Sequence, residues 1–247
     1  MDLGLKGRTA LVCGASSGLG LASAEALAAE GASVTMLSRR RDELERQADR
    51  IGALAVRGDV TLPSDTERAL SLTLEAFGGL DILVWNSGGP TPGTATAVTP
   101  DSLEQAVELM LLPLLRLVQG ARPHLERSSG GRILAITSLA AKEPTAHLAL
   151  SNMLRPAVHG YVKTLADELG PKGITANCVA PGRIATARLD QLYPEGPTDE
   201  QLAEIPLRRW GEPHEFGDVV CFLASERARY VSGQTVVVDG GLQRALF

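Results

Sequence analysis

Short apolar runs alternate along this chain with longer stretches whose apolar positions recur every three to four residues. The first pattern fits buried strands and the second fits helices with one buried face. Strands are expected at 9–13, 33–37, 53–56, 81–85, 132–137, 174–179 and 235–238. Between them fall helices at 21–30, 42–51, 63–77 and 101–125, another within 148–169, and a last at 215–224. The third helix opens on Pro63, whose fixed φ and missing N–H suit a helix start. Continuously apolar strands separated by helices imply a parallel sheet covered on both faces. Right-handed crossovers then lead to an α/β, doubly wound sheet of about seven strands. One stretch, 183–213, breaks the alternation with Pro194, Gly196, Pro197, Pro206 and Gly211. It reads as a structureless insert, a substrate lid or binding loop within a single domain spanning 1–247.

Composition narrows the class. The 247 residues are 44% hydrophobic but only 4% aromatic, so the core rests on Leu, Val, Ile and Ala. A net charge of −5, with the basic clusters at 39–41 and 208–209 short and near acids, argues against a nucleic-acid partner. Cys13, Cys178 and Cys221 lie in apolar runs without CxxC spacing and read as buried free thiols suited to a reducing compartment. No run reaches membrane-span length, and the N-terminus lacks the order of a signal peptide. The expectation is a cytoplasmic protein without a membrane partner. The four histidines are scattered and no carboxylate cluster accompanies them, so no metal site is expected.

The chemistry starts at Gly14-Ala15-Ser16-Ser17-Gly18-Leu19-Gly20, between the first strand and first helix. Glycines permit a tight turn and close backbone approach, and the helix N-terminus offers free N–H groups to a pyrophosphate. This is the pattern of a Rossmann-type dinucleotide site. The second strand ends in Ser38-Arg39-Arg40-Arg41, with no carboxylate before Asp42. An acidic residue there would take the 2′-hydroxyl of NAD, whereas Arg39 suits a 2′-phosphate. NADP(H) is therefore the expected cofactor and NAD(H) the alternative. Asp59 and Val60, after the third strand, are placed to bracket the adenine.

Further turns repeat this order: Asn86-Ser87-Gly88-Gly89 after the fourth strand, Ser138 after the fifth, and Asn177 to Gly182 along the sixth. With Val231 to Gly241 near the C-terminus, the chain resembles the short-chain dehydrogenase/reductase family over nearly its whole length, near the 3-oxoacyl-acyl-carrier-protein reductases. The resemblance implies cofactor contacts from Gly14, Ser16, Ser17, Gly18, Leu19, Gly20, Arg39, Asp59, Val60, Asn86, Gly88, Arg155, Pro181, Gly182, Ile184 and Thr186. It also implies a catalytic role for Ser138 and a homotetramer or homodimer. One interface would use the helices at 101–125 and 148–169, and the other the C-terminal strand.

Three catalytic positions depart from the family. Its tyrosine falls thirteen residues after the serine and its lysine four further on; this chain holds Ser151 and Arg155 there. The family's helix asparagine, placed by distance from Pro123, becomes Met110. A serine hydroxyl is too weak an acid to replace a phenol, and arginine keeps a charge without shuttling protons. Pro156 removes a helical N–H directly after Arg155. Tyr161 and Lys163 point in different directions on a helix and read as packed and solvated. His147 is a candidate acid overhanging the pocket, His159 a helix residue, and Lys142 and Glu143 solvated charges.

These residues support an NADP-preferring oxidoreductase acting on a carbonyl or alcohol, with an acyl thioester or ketone as the small-molecule substrate. Ser138, Ser151 and Arg155 are its catalytic candidates. The alternative is an inactive dinucleotide-binding regulator or scaffold, and a third reading has Arg155 gripping an anionic substrate. Ile184, Leu189, Leu192, Tyr193 and Leu207 are expected to give the substrate pocket an apolar lining.

Overall fold

The computed structural model describes residues 1–246. Seven strands among these residues form one sheet: β1 (Thr9–Cys13), β2 (Ser33–Ser38), β3 (Leu54–Arg57), β4 (Ile82–Trp85), β5 (Arg132–Ile136), β6 (Thr175–Pro181) and β7 (Thr235–Val238). Their order is β3-β2-β1-β4-β5-β6-β7, and every neighbouring pair is parallel. The helices are α1 (Gly18–Ala29), α2 (Arg41–Ile51), α3 (Pro63–Phe77), α4 (Pro100–Met110), α5 (Leu112–Leu125), α6 (Ala149–Leu169), α7 (Ala187–Leu192), α8 (Asp199–Ala203) and α9 (Pro213–Ala224).

Successive strand residues face opposite sides of the sheet, so the apolar runs feed two separate cores. Leu11, Leu83, Trp85 and Ile133 pack with Leu70 of α3, Leu117 of α5 and Val158 of α6. Val12, Met36, Val84 and Leu134 pack with Leu27 of α1, Leu44 of α2 and Phe216 of α9. Helices α1 and α9 approach so closely that a Cβ on Gly217 would lie 2.4 Å from the Ala22 carbonyl oxygen. From β1 the chain builds outward to β2 and β3, then crosses to β4 on the other side. That reversal opens a crevice beyond the C-terminal ends of β1 and β4, where open α/β sheets bind ligands.

Two expectations need correcting. The helix expected over 101–125 is two helices, broken at Leu111, because Pro113 has no N–H to continue the ladder and instead occupies the first turn of α5. Pro156, by contrast, does not interrupt α6. Pro156 cannot donate to the Asn152 carbonyl one turn earlier, and the Asn152 side chain clamps Thr145 by bonds of 3.0 and 2.9 Å. Nor is the stretch 183–213 structureless, since it carries α7 and α8. Thr186 and Thr198 supply the N-caps, Thr198 in a reciprocal capping box with Gln201.

Candidate functional site

A cavity of about 550 Å³ runs along the C-terminal ends of the strands, from the turn after β1 to α7. At its first end Gly14 and Gly18 take φ of 61° and 58°, the left-handed region that favours glycine. A Cβ on Gly20 would fall 2.3 Å from the Gly14 carbonyl oxygen, so this turn closes on itself only without side chains. Ser17 is the N-cap of α1, yet its side chain makes no capping bond. The first N–H groups of α1 are thus left for a ligand, as an anion-binding helix terminus requires. Ser16, Ser17 and Leu19 line the cavity beside them, and Asn86 donates from Nδ2 to the Gly14 carbonyl at 3.4 Å. These residues fit a dinucleotide pyrophosphate.

The corner beyond the turn is basic. Ser16 and Ser38 hydroxyls meet at 2.7 Å, and Arg40 donates through Nη2 to Ser16 Oγ at 3.2 Å and also to Ser17 Oγ. Arg39, singled out from the sequence, also lines the cavity, but its side chain is 72% exposed and lies 3.6 Å from Asp59 Oδ2. Arg40 is the residue that sequence reasoning missed. Which of three consecutive arginines reaches the glycine turn depends on the backbone leaving β2, and Arg40 takes the extended N-cap position of α2. Asp59 and Val60 line the same corner. Asp59 Oδ1 accepts from Thr61 N and Oγ1 at 3.0 and 2.9 Å, which fixes the carboxylate's orientation.

The cavity is further lined by Asn86 and Thr186, which border the glycine turn, and by Gly88, Ser138, Ser151, Arg155, Pro181, Gly182 and Ile184. The fold thus gathers residues from β4, β5, α6 and β6 that lie far apart in sequence. Ser138 Oγ accepts from the Ala140 N–H at 3.2 Å, which leaves its own O–H free to donate into the cavity. Ser151 is buried in the wall. Arg155 is 6% exposed and donates through Nη1 to the Ile136 carbonyl at 3.1 Å, while its Nε has no partner. Burial, aided by the nearby Arg188 charge, pulls its pKa down to about 10, so it remains a cation at neutral pH. Met110 is fully buried against Leu150 and Leu154 and offers nothing that holds water.

The candidate proton donors sort differently from expectation. His147 does not overhang the pocket: it is exposed, with a φ of 59°, and its backbone carbonyl accepts from Gly93 N at 2.7 Å. His159 is the histidine near the site, but it sits behind the lining. Its Nε2 is 2.8 Å from Thr137 Oγ1 and its Nδ1 3.2 Å from Thr235 Oγ1. Burial, with the Arg155 and Lys142 charges, lowers its pKa to about 4 and keeps the ring neutral. Tyr161 packs against the core and Lys163 is exposed.

The apolar wall is also partly different. Ile184, Leu189 and Leu192 line the cavity. Tyr193 instead meets Trp210 with ring centroids 5.9 Å apart, with the Arg183 guanidinium 5.6 Å from its ring, and Leu207 is exposed. Arg188 enters the lining from α7, donating through Nη2 to the Pro90 carbonyl at 3.2 Å. The sequence held no signal for it, because its direction is set by a helix that the proline- and glycine-rich composition concealed. Among the described residues no group of three or more His, Cys, Asp or Glu side chains is placed to hold a metal ion, and no helix is long and apolar enough to cross a membrane.

Comparison with known proteins matches this architecture. A family model described as enoyl-(acyl carrier protein) reductase matches residues 14–243. Dehydrogenase/reductase SDR family member 4 of Homo sapiens is 33% identical over 244 residues, covering 96% of this chain and 88% of that protein. The 3-oxoacyl-acyl-carrier-protein reductase of Vibrio cholerae is 33% identical over 242 residues, covering 97% of this chain and 99% of that protein. The solved structure of L-sorbose reductase from Gluconobacter frateurii, complexed with NADPH and L-sorbose, matches with a TM-score of 0.92 at 31% identity over 100% of both chains.

Proposed function

Because the chain belongs to the short-chain dehydrogenase/reductase family of NAD(P)-dependent oxidoreductases, we propose that it is an NADP-preferring member that interconverts a carbonyl and an alcohol with atypical catalytic residues. The observation that carries this reading is the continuity of one cavity from the uncapped N-terminus of α1 to the free hydroxyl of Ser138. The turn from Gly14 to Gly20 holds the pyrophosphate, and Arg40 with Arg39 meets the 2′-phosphate at the end of β2, which carries no carboxylate before Asp42. Asp59 and Val60 flank the adenine. Asn86, Gly88, Pro181, Gly182, Ile184 and Thr186 line the nicotinamide end. When bound, the nicotinamide supplies the hydride for reduction of a carbonyl carbon, or accepts it from an alcohol carbon.

The protein's own part is positioning and charge. Ser138 donates its O–H to the substrate oxygen. Arg155, held by the Ile136 carbonyl, replaces the family lysine beside the nicotinamide ribose and stabilises negative charge on that oxygen. Neither Ser151 nor Arg155 exchanges a proton at neutral pH, so the proton comes from solvent. Segment 183–213 acts as the substrate lid, with Ile184, Leu189 and Leu192 as its apolar face. The assembled enzyme is a homotetramer or homodimer joined through α4, α5 and α6.

Calorimetric titration with NADPH and NADH, followed by a turnover screen over ketones, 3-oxoacyl thioesters and alcohols, tests the reading. Tighter NADPH binding with turnover supports it. Binding without turnover across the panel would favour a cofactor-dependent regulator instead.

A further inference from the structure

The substrate end of the cavity is a place where positive charge has no partner. Arg155 sits in its wall, 94% buried by the 6% exposure above, with one neutral acceptor and an unbonded Nε. Arg188 stands at its mouth, reaching from α7 across to the turn after β4, where a Cβ on Gly89 would lie 3.2 Å from its Nη2. Among the described residues no ion pair includes either arginine. The one carboxylate among the described lining residues, Asp59, lies at the opposite end and faces Arg39. A buried cation without a counter-charge is costly, and the nearby charge of the exposed Arg188 adds to that cost. An anion entering between them removes it.

Resting on the oxidoreductase reading above, we propose that the substrate is an oxo acid or hydroxy acid whose carboxylate is gripped by Arg188 in the field of Arg155. The guanidinium of Arg188 spends one donor on Pro90 and keeps a fork free for bidentate carboxylate binding. The remaining wall of Ile184, Leu189 and Leu192 takes the apolar part of the molecule. In the reducing direction the substrate's carbonyl carbon gains a hydride from the reduced dinucleotide and its oxygen gains a proton from solvent. The products are a hydroxy acid and the oxidised dinucleotide.

The test separates anion binding from turnover. Malonate and succinate, which carry carboxylates but no ketone, are titrated calorimetrically beside their diamides, with and without NADPH. The expected result is dicarboxylate binding at least about tenfold tighter than diamide binding, the scale of one charge-assisted bond. Arg188→Gln abolishes that preference, Arg188→Lys restores part of it, and neither changes NADPH affinity. Turnover is then compared for acetoacetate and pyruvate against their methyl esters, where Arg188→Gln should raise KM for the acids alone.

Equal binding of acids and amides, no dicarboxylate binding at all, or a preference that survives Arg188→Gln overturns the proposal. So does a loss of NADPH affinity in that variant, which would assign Arg188 to the cofactor. Arg188-dependent anion binding without turnover of any acid or ester keeps the anion site and sinks the oxidoreductase reading. Turnover of esters without turnover of acids does the reverse.

Discussion

Arg40 Nη2 lies 3.2 Å from Ser16 Oγ, a bond that ties the residue after β2 to the glycine turn after β1. In the reading proposed above, it places a guanidinium in the corner where the two dinucleotides differ by one phosphate. Replacing Arg40 by Ala should therefore weaken NADPH binding about 10- to 100-fold, the range for a charge-assisted contact. NADH binding should change little. Arg39→Ala, removing a side chain already facing Asp59, should cost less. Calorimetry with both nucleotides decides the ranking.

Ser138 and Ser151 both line the cavity, but only Ser138 has an N–H donor orienting its oxygen. Ser138→Ala should lower kcat about 100- to 1,000-fold while leaving NADPH affinity unchanged, as loss of one oxyanion donor does. Ser151→Ala should lower it far less, because an aliphatic hydroxyl is no proton donor at this pH. Steady-state kinetics on a turned-over ketone would expose the difference, and equal losses would contradict these roles.

Gly217 is where α9 rests on α1. With an added Cβ 2.4 Å from the Ala22 carbonyl oxygen, Gly217→Ala must push the helices apart. The expected cost is about 1–3 kcal/mol, read as a lower Tm with cofactor affinity retained at low temperature. A variant as stable as the parent would mean the two helices have room to part.

His159 makes stability depend on pH in a defined window. Its folded pKa is lowered from 6.5 to about 4 by burial and by Arg155 and Lys142, so between these values the unfolded chain binds the extra proton. Stability is thus intact above pH 6.5, falls as the pH drops toward 4, and loses no more from this group below it. His159→Gln, which keeps a donor for Thr137, should flatten the Tm profile within that window only. An unchanged profile would count against the buried neutral ring.

The three thiols should be inert in the folded protein. Burial raises Cys13, Cys178 and Cys221 to about 12, leaving almost no thiolate at neutral pH. Alkylation followed by mass spectrometry should find all three unmodified until denaturant is added. Rapid labelling of Cys221 would place it in an open part of α9.

The sequence by itself determined the sheet, because strand identity is carried by local apolar runs. All seven strands fell where the runs lay, with edges moved by a residue or two. The cofactor residues named from the glycine turn, Asp59, Asn86, Pro181 and Thr186 all line one cavity. These follow from position relative to strand ends, and strand ends are legible. Tertiary structure decided what depends on direction rather than position. It turned Arg40 toward Ser16 and Arg39 toward Asp59, turned His147 outward and set His159 behind the wall. It split one expected helix at Leu111 and built α7 in a stretch that looked irregular, bringing Arg188 to the pocket mouth. A side chain's direction depends on the backbone torsions and packing around it, which a pattern of apolar and polar letters does not encode.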